Sequence, residues 1–182
     1  VCPFEIPKIK EDENYAHIDN DCQSCGMCVV ECPAKAIEFK DPYEDMGKAR
    51  LDEVFKEVRS SDPLIINFYC GYNLDLALSS EKLPENIKQV NLISLGKLSP
   101  KLILEAFEKC ADGVLITSCD DSCHFGDSCN TWAEQRTETA MDFLSSIGIE
   151  KERIKCHTLS THNEDGFLQT ANQLIEEIRK LN

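Results

Sequence analysis

Cys22-Gln23-Ser24-Cys25-Gly26-Met27-Cys28-Val29-Val30-Glu31-Cys32-Pro33 carries three cysteines separated by two residues each, a fourth after three more, and a proline directly behind it. That spacing lets a short loop hold a [4Fe–4S] cluster through thiolates. A cubane takes soft, deprotonated sulfur ligands arriving from several directions. A loop wraps several of its corners only if the residues between the thiolates are few and turn tightly, and Gly26 supplies backbone freedom for such a turn. Ala34-Lys35-Ala36-Ile37 completes the pattern. Four unrelated buried cysteines at this spacing are the alternative, and they leave the trailing proline unexplained.

In two-cluster ferredoxins the cysteine before the proline ligates the other cluster. Cys2-Pro3, at the start of the sequence, has the form of the tail of a second, upstream motif. On that reading Cys22, Cys25, Cys28 and Cys2 hold one [4Fe–4S] cluster and Cys32 serves a neighbouring one. A local set of Cys22, Cys25, Cys28 and Cys32, with Cys2 incidental, is the alternative. The first residue is Val1 rather than Met, in keeping with a truncated or processed chain.

The 182 residues are 42% hydrophobic, ordinary for a chain that buries a core. No apolar run is long enough to span a bilayer, and no basic-then-apolar N-terminal segment reads as a signal peptide. Eleven cysteines, several at metal-type spacing, argue for thiolate ligation in a reducing compartment rather than a disulfide framework. The expected location is the cytoplasm of a cell that protects such clusters, hence an anaerobic setting. With 33 acidic against 19 basic residues the net charge is −14. That disfavours nucleic-acid backbones and anionic membranes and suits either solubility or docking to a basic protein partner.

Residues 1–41 read as a small bacterial-ferredoxin-like module with few apolar residues, namely Ile6, Ile9, Ile18, Ile37 and Phe39. Glu11-Asp12-Glu13-Asn14 is a polar turn between short strands, and His17 reads as a surface residue. Asp41-Pro42-Tyr43-Glu44-Asp45 marks a boundary. Residues 42–62 form a linker whose Leu51, Val54, Phe55 and Val58 share one face of a helix over Met46–Arg59. From 63 to 182 strand and helix signals alternate, which predicts a parallel sheet covered by helices, an α/β domain of the flavodoxin-like (Rossmannoid) class. The expected strands are Leu64–Tyr69, Ile87–Ser94, Gly113–Ser118 and Ile154–Thr158. The expected helices run near Leu74–Ser79, from a Ser99-Pro100 start, over Thr131–Ile147 and over Glu164–Leu181.

Parallel strands place their C-terminal ends on one sheet edge, where open α/β sheets bind ligands. Cys70 and Cys119 stand at two such ends, and the loop after the second carries Cys123 and Cys129. Four thiols on one edge fit a Cys₄ site, with [2Fe–2S] the first candidate and tetrahedral zinc the second. Free thiols in a loop without metal are the bland alternative. Cys110 and Cys156 read as small packing residues.

Tyr69-Cys70-Gly71-Tyr72, the approach from Ala106-Phe107 to Ala111-Asp112-Gly113-Val114, Cys119 with Cys123-His124-Phe125, Asn130 with Arg136, and Gly148-Ile149-Glu150-Lys151-Glu152-Arg153 together carry a resemblance. Residues 63–182 resemble the delta subunit of methyl-viologen-reducing hydrogenase. The cysteine module in front resembles the C-terminal end of the flavoprotein subunit of heterodisulfide reductase. The resemblance implies an iron–sulfur protein that links a hydrogenase or formate dehydrogenase to heterodisulfide-reductase-like flavoprotein subunits, in flavin-based electron-bifurcating complexes. The family commonly has cysteines where this chain has Asn67 and Ser94, and its loop between the positions of Cys119 and Cys123 is longer. Cys123 and Cys129 are read as substituting ligands of a [2Fe–2S] cluster; a copy that has lost the cluster is the alternative.

The functional expectation is an electron-transfer module with no catalytic site of its own. Two readings from other classes stand beside it. Cys123-His124 is a thiolate and base pair for thiol/disulfide oxidoreduction, and the second site is a structural zinc adaptor in a larger complex.

Overall fold

The computed structural model describes residues 1–39, 46–57, 63–74, 83–120, 123–159 and 164–181. The Asp41–Asp45 boundary and positions 58–59 of the expected linker helix lie outside them.

Four strands, β3 (Ile65–Cys70), β4 (Ile87–Leu92), β5 (Gly113–Cys119) and β6 (Ile154–Leu159), follow the small N-terminal strands β1 (Lys8–Ile9) and β2 (Ala16–His17). They form one sheet in the order β4-β3-β5-β6, every pairing parallel. In chain order that is second, first, third, fourth, the flavodoxin-like winding, so the α/β expectation holds. Central strands β3 and β5 are buried along their whole length, whereas edge strands β4 and β6 are buried only in part. This matches the near-continuous apolar runs of the central pair.

Helices cover both faces. On one, Ile66, Phe68, Val90, Leu92, Val114 and Ile116 pack against residues of α2 (Met46–Glu57), α4 (Pro100–Glu108) and α5 (Asp127–Ser146). On the other, Ile65, Tyr69, Ile87, Leu115 and Leu159 meet Phe167, Ala171, Leu174, Ile175 and Ile178 of α6 (Glu164–Leu181). The Ser99 hydroxyl caps α4 by accepting from the Leu102 amide, with Pro100 in the first turn, as its sequence predicts. Linker helix α2 docks on the α/β domain. Its Leu51 is fully buried, Arg50 donates to the Asn91 carbonyl, and Asp52 pairs with Lys109 at 2.7 Å.

Several boundaries differ from the sequence reading. A helical turn, α3 (Gly71–Leu74), follows β3 directly, earlier than the expected start at Leu74; positions 75–79 lie outside the described residues. Helix α5 begins at Asp127, not Thr131, so Cys129 sits in its first turn and not in a loop. Burial of Cys129 outweighs the weak helix propensity of Asp127-Ser128-Cys129-Asn130. A 3-10 turn, Leu95–Lys97, follows β4. Cys110 and Cys156 are exposed rather than packed: Cys110 ends α4 at a positive φ of 70°, and Cys156 lies on an edge strand.

The N-terminal module is a β1–β2 antiparallel hairpin followed by the cysteine loop and α1 (Met27–Glu31). His17 is half-buried and touches Glu13 and Tyr15. Ile6 is buried but Ile9 and Ile18 are exposed, so the module's own apolar core is smaller still than the sequence suggested. It leans on the larger domain through Met27, fully buried against Gly96.

Gly113, at the start of β5, has no room for a side chain: a Cβ there would stand 2.2 Å from Ile178 Cδ1 and 3.0 Å from the Arg153 carbonyl oxygen. Ile178 can shift only by disturbing the packing of α6. Gly113→Ala is expected to destabilise the chain by about 1–3 kcal/mol in a denaturant-unfolding measurement.

Candidate metal centres

Cys2, Cys22, Cys25 and Cys28 line one cavity of about 220 Å³, closed by Phe4, Ile6, Ile18, Val29, Ile37 and Phe39. Cys32 is not among the lining residues. It faces an adjoining open recess that Cys2 and Cys28 also line, with Val1, Glu5, Lys8 and Glu31, and its sulfur accepts from the Ala36 amide at 3.3 Å. The loops around the cavity are wound tightly. Gly26 adopts φ +80°, and Glu5, Ser24 and Lys35 also hold positive φ values, which side chains accept only where the surroundings over-determine them. A Cβ on Gly26 would approach Lys97 and Phe39 within 3.2 Å.

Burial pushes the Cys25 and Cys28 thiols above their ordinary value. A backbone hydrogen bond at Met27 opposes this for Cys25, and the neighbouring Cys2 and Cys22 add to it for both. A bound cation reverses this logic, because it stabilises the thiolates that burial alone disfavours. An apolar cavity with four soft donors therefore fits a polynuclear iron cluster.

The second group forms at the C-terminal edge of the sheet. Parallel pairing of β3 with β5 brings Cys70 and Cys119 to that edge; the chain then returns Cys123 and, from the first turn of α5, Cys129. Cys119 hydrogen-bonds with Cys123 and with Cys70, and Cys129 hydrogen-bonds with Cys123. The half-exposed Cys123 is the member drawn toward the thiolate form, by hydrogen bonds from Cys119 and Cys129. The Cys119 and Cys129 thiols are pushed up, first by those contacts and then by burial. All four predicted residues are thus brought together.

Further contacts fix them. Asn130 donates to the Cys119 carbonyl at 2.7 Å, the Cys70 thiol meets the Ile93 carbonyl at 3.6 Å, and Ser94 Oγ lies 3.1 Å from Cys129 Sγ. Among the described residues no three His, Cys, Asp or Glu side chains are grouped so as to hold a single metal ion.

His124 stands beside Cys123 and is among the causes that draw its thiol toward the thiolate form. Its ring stacks on Tyr72 at 4.3 Å, meets Phe125 edge-on at 5.0 Å, and reaches Gln23 at 3.5 Å and Phe4 at 6.5 Å between centroids. Gln23 and Phe4 line the first cavity, so this cluster of rings joins the two thiol groups. Arg136 joins them a second way. It is buried, donates to Glu31 at 2.6 and 3.0 Å, and donates to the Gly96 and Leu98 carbonyls. Sequence reasoning missed the roles of Ser94 and Gly96, because a short polar turn after an edge strand carries no periodic signal.

Residues 65–182 match the family described as methyl-viologen-reducing hydrogenase, delta subunit, and residues 15–38 match the 4Fe-4S binding domain. The latter span includes Cys22, Cys25, Cys28 and Cys32. The chain is 28% identical, over 96% of its length, to a ferredoxin/F(420)H(2)-dependent CoB-CoM heterodisulfide reductase subunit of Methanosarcina acetivorans, of which it covers 26%. It spans about a quarter of the length of the heterodisulfide reductase subunits it matches. Over 66% of its length it is 29% identical to the F420-non-reducing hydrogenase vhc iron-sulfur subunit of Methanococcus voltae, covering 87% of that protein. Over 66% it is 32% identical to the corresponding vhu subunit of Methanocaldococcus jannaschii, covering 93%. No helix among the described residues is long and apolar enough to cross a membrane. A 4Fe-4S binding domain thus precedes the flavodoxin-like sheet, and through residues 65–182 the chain belongs to the methyl-viologen-reducing hydrogenase delta subunit family.

Proposed function

We propose that the chain is an electron relay with two iron–sulfur centres. Cys2, Cys22, Cys25 and Cys28 hold a [4Fe–4S] cluster; Cys70, Cys119, Cys123 and Cys129 hold a [2Fe–2S] cluster; Cys32 serves a cluster of a neighbouring segment. When bound, such centres accept and release one electron at a time. The division into a cluster module (1–41), a linker (42–62) and an α/β domain (63–182) follows from this reading.

The observation that carries it is the contact layer between the two thiol groups. His124, next to Cys123, touches Gln23, next to Cys22, and stacks on Tyr72. The chain's own residues line the first cavity with apolar side chains, bring the thiols together and join the two groups. Relatives named as hydrogenase iron-sulfur subunits and as heterodisulfide reductase subunits support the outer ends of the relay. We assign one end of the relay to a hydrogenase or formate dehydrogenase and the other to heterodisulfide-reductase-like flavoprotein subunits, in the cytoplasm of an anaerobe. The acidic surface, net charge −14, suits docking to basic faces of such subunits.

The test is anaerobic iron and acid-labile sulfide analysis with electron paramagnetic resonance on the wild-type chain and single Cys→Ser variants. The wild type is expected to carry about six irons, four and two by cluster type. Cys2→Ser is expected to lose the [4Fe–4S] signal and keep the other, and Cys119→Ser to do the reverse. Cys32→Ser should leave both intact. Iron retained in Cys2→Ser but lost in Cys32→Ser would replace Cys2 by Cys32 in the first ligand set. A chain with about one zinc and no second iron signal would be the adaptor instead.

Because the cysteine module has little apolar core, its order depends on its metal. Oxidative removal of iron is expected to make residues 1–39 sensitive to limited proteolysis while the α/β domain resists. Equal resistance before and after removal would contradict that dependence.

A further inference from the structure

The turn Leu95–Lys97, with Ser94 before it, is wedged between the two thiol groups. On one side Gly96 packs so closely on Met27 of the cysteine loop that a Cβ would stand 2.4 Å from Met27 Cγ. On the other, the Gly96 amide donates to Cys129 Sγ at 3.1 Å and to Ser94 Oγ at 3.0 Å, while Ser94 Oγ is itself 3.1 Å from Cys129 Sγ. Ser94 and Cys129 are both at 0% exposure.

The turn is held from outside as well. Arg136 donates to the carbonyls of Gly96 and Leu98, and its remaining N–H groups are anchored on Glu31. The Cys129 sulfur therefore faces two donors in a dry, rigid frame.

A ligating cysteine is a thiolate with no proton to give. In a Ser94–Cys129 contact the hydroxyl must then donate and the sulfur accept. Each electron added to a cluster increases the negative charge that its sulfurs share, so donors aimed at them stabilise the reduced form more than the oxidised one. Hydrogen bonds to the sulfurs are among the features that set cluster potentials, and water-excluded surroundings strengthen each such interaction.

We propose that Ser94 and Gly96 are positioning residues that hold the Cys129 sulfur by paired hydrogen bonds and raise the reduction potential of the second centre. The proposal rests on the reading of that site as a [2Fe–2S] cluster. A purely structural Ser94, capping the turn through the Gly96 amide, would leave the potential unmoved.

The test is a redox titration of the full chain under anaerobic conditions, monitored by electron paramagnetic resonance, comparing wild type with Ser94→Ala. Ser94→Ala is expected to keep its iron and sulfide and to leave the first centre's potential in place. At the wild-type midpoint its second centre should show a reduced-to-oxidised ratio lower by up to about tenfold, or about 59 mV for a one-electron couple. Deuterium double-resonance spectra of the wild type in D₂O are expected to show exchangeable deuterons coupled to the second centre, one of them missing in Ser94→Ala.

An unshifted potential in an iron-replete Ser94→Ala chain overturns the proposal and leaves the functional reading standing. If Ser94→Ala does not fold, the wild-type spectra decide, and absence of any coupled exchangeable deuteron overturns it. A wild-type chain without a second centre overturns the functional reading and the proposal together.

Discussion

Arg136 is the charge on which the arrangement of the two modules depends. A buried guanidinium is costly unless its donors find partners, and here they are divided between Glu31 in the cysteine module and the Gly96 and Leu98 carbonyls in the α/β domain. Trp132 lies 5.6 Å from the guanidinium carbon and covers it further. Glu31 directly precedes Cys32 and ends α1, while Gly96 contacts Cys129. One side chain thus fixes the cysteine loop against the turn that touches the second thiol group. It acts beside an apolar seam in which Cys25 and Met27 join the core of the α/β domain and beside the His124 contacts with Gln23 and Phe4.

The sheet supplies the other half of the geometry. Because β3 and β5 run parallel and adjacent, Cys70 and Cys119 emerge at the same edge, and Tyr72 after β3 stacks on His124 after β5. Cys70 packs with one face of the sheet and Cys119 with the other, while Cys123 touches both cores. The second thiol group therefore wraps the rim of the sheet instead of lying on one face. That rim is where His124 and Tyr72 stack toward the first cavity.

Much of this was legible in the residues. Leu64-Ile65-Ile66 and Val114-Leu115-Ile116 announce buried parallel strands, Ser99-Pro100 a helix start, and the thiol spacing of Cys22, Cys25 and Cys28 a common cavity. Cys2 joins them in that cavity, and Cys32 shares an adjoining recess with Cys2 and Cys28. Other features depended on tertiary contacts that periodicity does not carry. Helix α5 starts early because Cys129 is buried beside Ser94, although its first residues have loop-like composition. Ile9 and Ile18 look like core residues, but Ile9 ends one two-residue strand and Ile18 follows the other, a hairpin too short to bury them. Ser94 and Gly96 gain their meaning only from Cys129, 33 residues beyond Gly96 in the chain.

The central claim is that two iron–sulfur centres sit in one rigid body, close enough to pass electrons. It is tested most directly by electron paramagnetic resonance of the full chain with one centre reduced and then with both. The account predicts two distinct centres whose signals broaden or split when both are reduced, from spin–spin interaction across the His124 layer. A fully reduced spectrum equal to the sum of two independent signals, or one containing a single centre, would contradict it.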